Sequence, residues 1–411
     1  MRLNEEFMGA SHHDVIPRTS QENLIIFIAL GLGSFAIGTA EFATMSIVPM
    51  VAHSFGLTDP QASYAIVLYA CGVCFGAPII ALFSARMSRK RMLIAMMLFY
   101  CVANGLGALA PNFEAFLIFR FLSGVPHGAY FGIAGIVASY LVPPNKRSQA
   151  VGRVILGLTL ATICGVPLAN FLGQLVGWRW AFALIAALAA LTMVLIARFS
   201  PDVRPRENAS IVSEMSVLKL KQVWLTLAIG AVGFGGVFCV YTYLASILTH
   251  VTHVPATLLP VLLAIFGVGM TVGTVVCAFL ADRRMVPTLG GVLLMGAASM
   301  AGFPEAAHRF IPLCINVFMI GASGGLATVV NSRLLAVAVG AEGLAAALNQ
   351  SAFNIANAVG PWLGGIAITS GLGWSAVGWV GMLLSLGGFG IYLASVAEEY
   401  RTSGKSITEM E

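Results

Sequence analysis

Glu41 has the most chemistry to offer, because the run Leu24–Met50 around it is otherwise apolar. It is the one Asp or Glu well inside any stretch long enough to cross a membrane. An ionised carboxylate in hydrocarbon costs several kcal/mol unless it is paired, wet or protonated. Three roles meet that demand: a proton carrier, a carboxylate that contacts substrate, and a protonated or hydrogen-bonded Glu that ties helices together. Arg120 is the second intramembrane charge. A guanidinium keeps its proton, so it must keep a partner. It lies roughly 9 Å from the outer end of its span at 1.5 Å per residue, with Glu41 somewhat deeper. Long side chains bridge that gap directly or through water. Contact would then favour the carboxylate and separation the acid, which couples shape to proton binding. The alternative is an Arg120 satisfied by backbone carbonyls. His127 follows on the same helical face as Arg120, flanked by Gly124, Gly128 and Gly132. It is placed to relay a proton or contact substrate, or else to pack as a neutral ring.

A second polar set is Asn349, Gln350, Asn354 and Asn357. Gln350, Asn354 and Asn357 share one helix face and suit either a wet cavity or hydrogen bonds between helices. Tyr130, Asn170, Tyr241, Tyr243 and Asn316 are further cavity residues. The seven cysteines all fall in apolar runs, and Cys71-Gly-Val-Cys74 has no second pair to complete a metal site, so no metal is expected. No G-x-x-x-x-G-K-[ST] sequence is present, so direct ATP use is not expected.

The elements that must position these residues are set by composition. Charged residues are 9% of the 411, and apolar residues 58%. An ordinary soluble domain carries about 25% charge. A soluble enzyme, a disordered tail and a nucleic-acid binder are excluded together, and a lipid-facing polytopic chain remains. Twelve apolar runs are predicted as spans: 24–52, 60–84, 91–110, 114–142, 148–175, 178–199, 222–249, 257–281, 286–303, 309–338, 342–370 and 375–397. The first is too long for a signal peptide and reads as a retained span. With the N-terminus in the cytoplasm, 19 of the 22 Lys and Arg fall inside, while Arg179 and Arg309 fall outside. That asymmetry places both termini in the cytoplasm, and it explains the net charge of +5 without a polyanion partner.

The chain divides at a polar linker, 200–221, which separates a bundle over 24–199 from one over 222–397, with tails at 1–23 and 398–411. The halves echo each other. Gly165-Val-Pro167 with Gly177-Trp178 is answered by Gly360-Pro361 with Gly373-Trp374. Arg86-Met-Ser-Arg89 is answered by Asp282-Arg283. Parallel six-span repeats mark one large class of secondary transporter.

From Leu24 onward the chain resembles the major facilitator superfamily. Within it, the chain resembles the drug:proton antiporter-like group that includes arabinose, sugar and purine efflux transporters. The residues that carry this are Gly38-Thr-Ala-Glu41-Phe42, Arg120-Phe-Leu-Ser-Gly124-Val-Pro-His-Gly128, Gly165-Val-Pro167 and Tyr241-Thr-Tyr-Leu244. The resemblance implies an all-α fold of twelve helices in two bundles. Spans one, four, seven and ten would line a central cavity, which favours Glu41, His127, Tyr130, Tyr241 and Asn316. Arg86, Arg89, Asp282, Arg283 and the Gly165/Pro167 and Gly360/Pro361 pairs become conformational motifs, the Gly/Pro pairs at the contact between the halves. One departure is Ala85, where the family's loop usually carries Asp. Either that half's latch is weaker or built differently, or Ala85 is neutral variation. The expectation is a proton-coupled exporter of a small molecule such as a sugar, nucleoside or drug. It would act by alternating access as a monomer in a bacterial cytoplasmic membrane. Lipid and protons would be its partners, with the proton gradient in place of a cofactor. Glu41 is the expected proton site, with Arg120 and His127 as modulators. An uptake symporter or uniporter is the alternative. A membrane enzyme or non-transporting sensor is more remote, since one intramembrane acid is too few for a hydrolytic site.

Overall fold

The computed structural model describes residues 19–84, 87–143, 146–203, 216–338 and 342–403. They form helices and short connections, with no strand among the described residues. The first half contains α1 Ser20–Ser46, α2 Val48–Phe55, α3 Asp59–Ala62, α4 Tyr64–Ser84, α5 Arg89–Ala108, α6 Phe113–Gly124, α7 His127–Ser139, α8 Arg147–Leu160, α9 Val166–Val176 and α10 Trp178–Phe199. The second contains α11 Lys221–Gly233, α12 Gly235–His250, α13 Leu259–Ala306, α14 Phe310–Ser323, α15 Leu326–Val337, α16 Glu342–Ala367 and α17 Ala376–Ser403.

Local chemistry sets the boundaries. Thr19 caps α1 by accepting from the Glu22 N–H, while the Glu22 carboxylate accepts from the Thr19 N–H at 3.0 Å. Asn112 caps α6 in the same sense, accepting from the Ala115 N–H at 2.9 Å. Pro126 separates α6 from α7 within one apolar run. Between α8 and α9 the helix widens into a π turn over Ala161–Gly165, just before Pro167, which has no N–H to continue a regular ladder.

Among the described residues, eleven helical stretches are long and apolar enough to cross a membrane. Most follow the expected runs. The expected eighth and ninth spans are instead joined in α13, a helix of 48 residues interrupted at Arg284 (φ −147°, ψ 78°). An unbroken rod of that length would run about 72 Å, more than twice a hydrocarbon core of about 30 Å. The non-helical Arg284 lets the chain turn without a loop, which is why the short run 286–303 has no separate helix of its own.

Within the first half α1 packs on α8 and α10, α5 on α10, and α4 on α6. Within the second, α13 packs on α14 and α17, α11 on α17, and α12 on α16. The halves meet where α4 lies along α16, α1 crosses α12, and α9 with its π turn meets α13. Gly124 is needed for the approach of α6 to α4, since a Cβ there would sit 2.1 Å from the Tyr69 carbonyl oxygen. Lipid-facing residues such as Phe75, Ile118, Val275, Ile315 and Leu383 are exposed, as a membrane exterior requires.

The Ser88 hydroxyl bonds the Asp202 carboxylate, and the Arg89 N–H donates to the Val203 carbonyl at 2.9 Å. The loop between α4 and α5 is thus tied to the start of the linker. Ala85 and Arg86 lie outside the described residues, as do 1–18, 204–215 and 404–411.

Candidate functional site

Glu41 sits in α1 with 8% of its surface exposed. Asn357, from α16 of the other half, donates its side-chain N–H to Glu41 Oε1 at 3.1 Å. On the opposite oxygen, His127 Nε2 stands 3.9 Å from Oε2. That is outside hydrogen-bond range, so Glu41 is bonded across the halves and only approached from its own half. The far side of the imidazole is engaged: His127 Nδ1 and the Tyr69 hydroxyl are 2.9 Å apart. Tyr69 in turn meets the Tyr100 hydroxyl at 3.3 Å. Carboxylate, imidazole and two phenols therefore form one buried line through the first half.

Arg120 belongs to this cluster through a ring rather than a carboxylate. Its guanidinium lies 4.2 Å from the centre of the Tyr69 ring and 5.4 Å from that of Phe182. Its Nε donates to the Ala65 carbonyl at 3.4 Å, while Nη1 and Nη2 are buried without a hydrogen-bond partner. Among the described residues it pairs with no carboxylate. The contact with Glu41 expected directly or through water is not made directly, and the alternative of a backbone carbonyl is met at Nε by Ala65. Phe116, Trp178 and Phe182 stack edge-on at 5.0 to 5.8 Å around this end of the bundle, which shields the cation from water and lipid.

Other expected residues divide by partner. Tyr241 is buried, its ring 4.3 Å from Phe266 and 5.8 Å from Phe42, and its hydroxyl has no partner. Phe42 also stacks on Phe238 at 6.0 Å, so aromatic rings from both halves meet beside Glu41. Asn354 donates to the Gln350 carbonyl, and its Oδ1 is buried and unpartnered, as is Oδ1 of Asn357. Gln350 faces Gly128 of the other half. These residues join the Glu41 neighbourhood.

The rest have hydrogen-bond partners elsewhere. Tyr130 donates to the Leu30 carbonyl at 2.8 Å, Asn170 to the Ser46 carbonyl at 2.9 Å, Asn316 to the Ser299 carbonyl at 2.8 Å, and Asn349 to Asn331 Oδ1 at 3.1 Å. Tyr243 donates to the Pro361 carbonyl at 2.8 Å and lies 3.2 Å from the Ser63 hydroxyl, a link between halves near their outer ends. Close by, the Ser246 hydroxyl bonds Asp59. Gly165 and Gly360 are not themselves the surfaces that join the halves. Gly165 packs on Phe35 and Thr39 of α1, and Gly360 on Gly235 and Cys239 of α12. The joining surface next to Gly165 is Thr162, whose carbonyl meets Gly267. Asp282 and Arg283 are exposed, with Arg283 over the Phe279 ring at 4.2 Å.

Tyr69 and Tyr100 went unnoticed in the sequence, because a lone tyrosine in an apolar run has no spacing that separates it from core. Arg333 was counted as cytoplasmic. It is buried at 3% exposure, held by Ser395 and Glu399 at 3.0 Å each. Among the described residues no group of three His, Cys, Asp or Glu is placed to hold a metal. A cavity of about 670 Å³ opens among His53, Trp178, Arg179 and Trp180 in the first half, and Glu41, Arg120 and His127 do not line it.

A set of apolar helices that buries a carboxylate, Glu41, at the contact between the two halves has the form of a membrane transporter. The comparisons agree. Residues 30–306 match the family model for the Major Facilitator Superfamily. The inner membrane transport protein YdhP of Escherichia coli K12 is 34% identical over 87% of this chain and 92% of its own. AraJ of the same organism is 31% identical over 88% and 92%. A "Probable sugar efflux transporter" of Mannheimia succiniciproducens is 28% identical over 87% and 90%. A bacterial homologue of the human lysosomal transporter Spinster, solved in an inward-facing conformation, superposes with a TM-score of 0.69 at 16% identity, over 92% of this chain and 98% of that one. The chain belongs to the major facilitator superfamily.

Proposed function

We propose that the protein is a proton-coupled exporter of a small polar or amphipathic molecule. The observation that carries this reading is Glu41, an intramembrane carboxylate bonded to Asn357 of the opposite half and approached by His127 of its own. A group held across the contact between halves feels every movement of one half against the other. Rocking of the halves would break the Asn357 bond and change what Glu41 can do with a proton. Efflux is supported by the efflux-type name of one relative.

In the full reading α13 counts as two spans that meet at Arg284, which makes twelve spans in two six-helix bundles joined by 200–221, with both termini in the cytoplasm. One chain then supplies the complete transporter in a bacterial cytoplasmic membrane, driven by the proton gradient. Sugars, nucleosides and hydrophobic drugs are the substrate classes to try first.

The test is transport into proteoliposomes of labelled arabinose, inosine and chloramphenicol, with and without an imposed pH gradient. Wild type should concentrate at least one of them when the gradient is present. Glu41→Gln should fold but lose gradient-driven accumulation. Full accumulation by Glu41→Gln would overturn the proton assignment. Accumulation with the opposite gradient dependence would favour uptake by symport, the second reading.

A further inference from the structure

The line of hydroxyls and imidazole behind Glu41 is not required by a carboxylate that loads from a water-filled central cavity. We propose that it is a proton path of its own, running through the interior of the first half from Tyr100 to Tyr69 to His127 to Glu41. The inference rests on the reading of Glu41 as the proton site and adds the route by which the proton arrives.

Three observations support it. The links are short, 3.3 Å between the phenols and 2.9 Å from Tyr69 to His127, and all four side chains are buried. The line leads toward the outer side. Tyr100 lies in the outer half of α5, and Asn104 one turn further out donates to the Tyr100 carbonyl at 2.8 Å. At that end Asn104 Oδ1 and both terminal nitrogens of Arg120 are buried without a protein partner. Buried polar atoms of this kind are commonly satisfied by internal water. Finally, the last link is open. Glu41 is bonded to Asn357, and the 3.9 Å gap to His127 exceeds a hydrogen bond by about 1 Å.

The open link makes the path a switch. Asn357 and His127 stand on opposite sides of the carboxylate and on opposite halves of the protein. While the halves touch here, Asn357 holds Glu41 off the path. When they part, Glu41 is released toward His127 and the path closes.

A proton then moves without net change along the line. The Tyr69 hydroxyl hydrogen passes to His127 Nδ1, and the Nε2 hydrogen passes to Glu41 Oε2. Tyr69 regains a hydrogen from Tyr100, and Tyr100 regains one from outer water. Glu41 becomes a carboxylic acid, and the imidazole is left as its other tautomer, which turning the ring resets. Arg120 stacked on Tyr69 keeps a stray cation from resting on the path.

The test compares Tyr69→Phe with Glu41→Gln in proteoliposomes loaded with a pH-sensitive dye. Both variants are first checked by thermal melting. Phe keeps the ring under Arg120 and removes only the hydroxyl. Tyr69→Phe should lower substrate-driven proton flux at least tenfold while counterflow of the same substrate keeps most of its rate, and Tyr100→Phe should show a weaker form of the same split. Wild-type proton flux in Tyr69→Phe, with flux abolished in Glu41→Gln, overturns the path and leaves Glu41 loading from the central cavity. Equal loss of flux and counterflow in Tyr69→Phe makes Tyr69 a packing residue and also overturns it. Proton flux surviving in Glu41→Gln removes the reading on which the path rests.

Discussion

The two halves of the molecule bury different chemistry. The first half holds ionisable groups deep among its helices: Glu41, Arg120 and His127, linked by Tyr69 and Tyr100. The second half faces them with neutral groups, Gln350, Asn354 and Asn357, and with aromatic rings at Phe238, Tyr241 and Phe266. Its one deep cation, Arg333, lies at the far end of α15, neutralised by Glu399. The difference teaches a division of labour. On the proposed reading, charge that changes state is kept in one half, and the other half reports its position through a neutral amide. An amide can let go more cheaply than a cation, because a hydrogen bond to a charged group is worth about 1.5–3 kcal/mol net, against about 3–5 kcal/mol lost when one partner of a buried ion pair is removed. A salt bridge in place of the Glu41–Asn357 bond would hold one conformation too firmly for turnover.

The comparison can be broken at several points. The largest effect is expected at Arg120. Arg120→Leu should abolish proton-driven transport, and Arg120→Lys should not restore it, because an ammonium lacks the flat face that stacks on Tyr69. Transport assays on the pair decide this, and full activity of the Lys variant would show that only charge matters. Arg333→Ala should act through stability instead. It removes the bonds from Arg333 to Ser395 and Glu399 at the end of the second half, which should cost about 1–3 kcal/mol. Thermal melts should fall while the ratio of protons to substrate stays at its wild-type value.

Asn357→Leu should be intermediate in effect. It removes the bond between halves at Glu41, so counterflow should persist while protons leak through without substrate, read as dye-reported proton entry in empty vesicles. Tight coupling in Asn357→Leu would mean the amide is not the reporter. Tyr241→Phe should change least. Its hydroxyl has no partner in this conformation, so stability should shift by less than about 0.5 kcal/mol, and any change in KM would mark contact with substrate.

The architecture could be read from the sequence because membrane physics acts locally. Every backbone polar group in hydrocarbon must be satisfied within its own helix, so the spans stand out as apolar runs. Glu41 was visible for the same reason, as an expensive exception in an otherwise apolar segment. What stayed hidden was pairing over distance. Glu41 and Asn357 are 316 residues apart in sequence, and no local pattern joins them. In the sequence Asn357 is one amide on a polar face, with no sign that it differs from Asn354 on the same face, which bonds the Gln350 carbonyl instead. For Arg120 the sequence offers a carboxylate or backbone carbonyls as partners, and Nε takes the Ala65 carbonyl. The structure also gives the guanidinium the face of Tyr69, a residue indistinguishable in sequence from core. In α13 the expected eighth and ninth spans meet at one non-helical residue, Arg284, so a single backbone turn stands where the sequence suggests a loop.

The central claim is that Glu41 changes protonation state as part of the transport cycle. Difference infrared spectroscopy of the purified protein between mildly acidic and mildly basic buffer tests it most directly, because a buried carboxylic acid has its own C=O band. The account predicts a band that appears on the acidic side, is absent in Glu41→Gln, and shifts in Asn357→Leu, where the amide donor is lost. Identical difference spectra for wild type and Glu41→Gln would show that the carboxyl never changes state, and would contradict it.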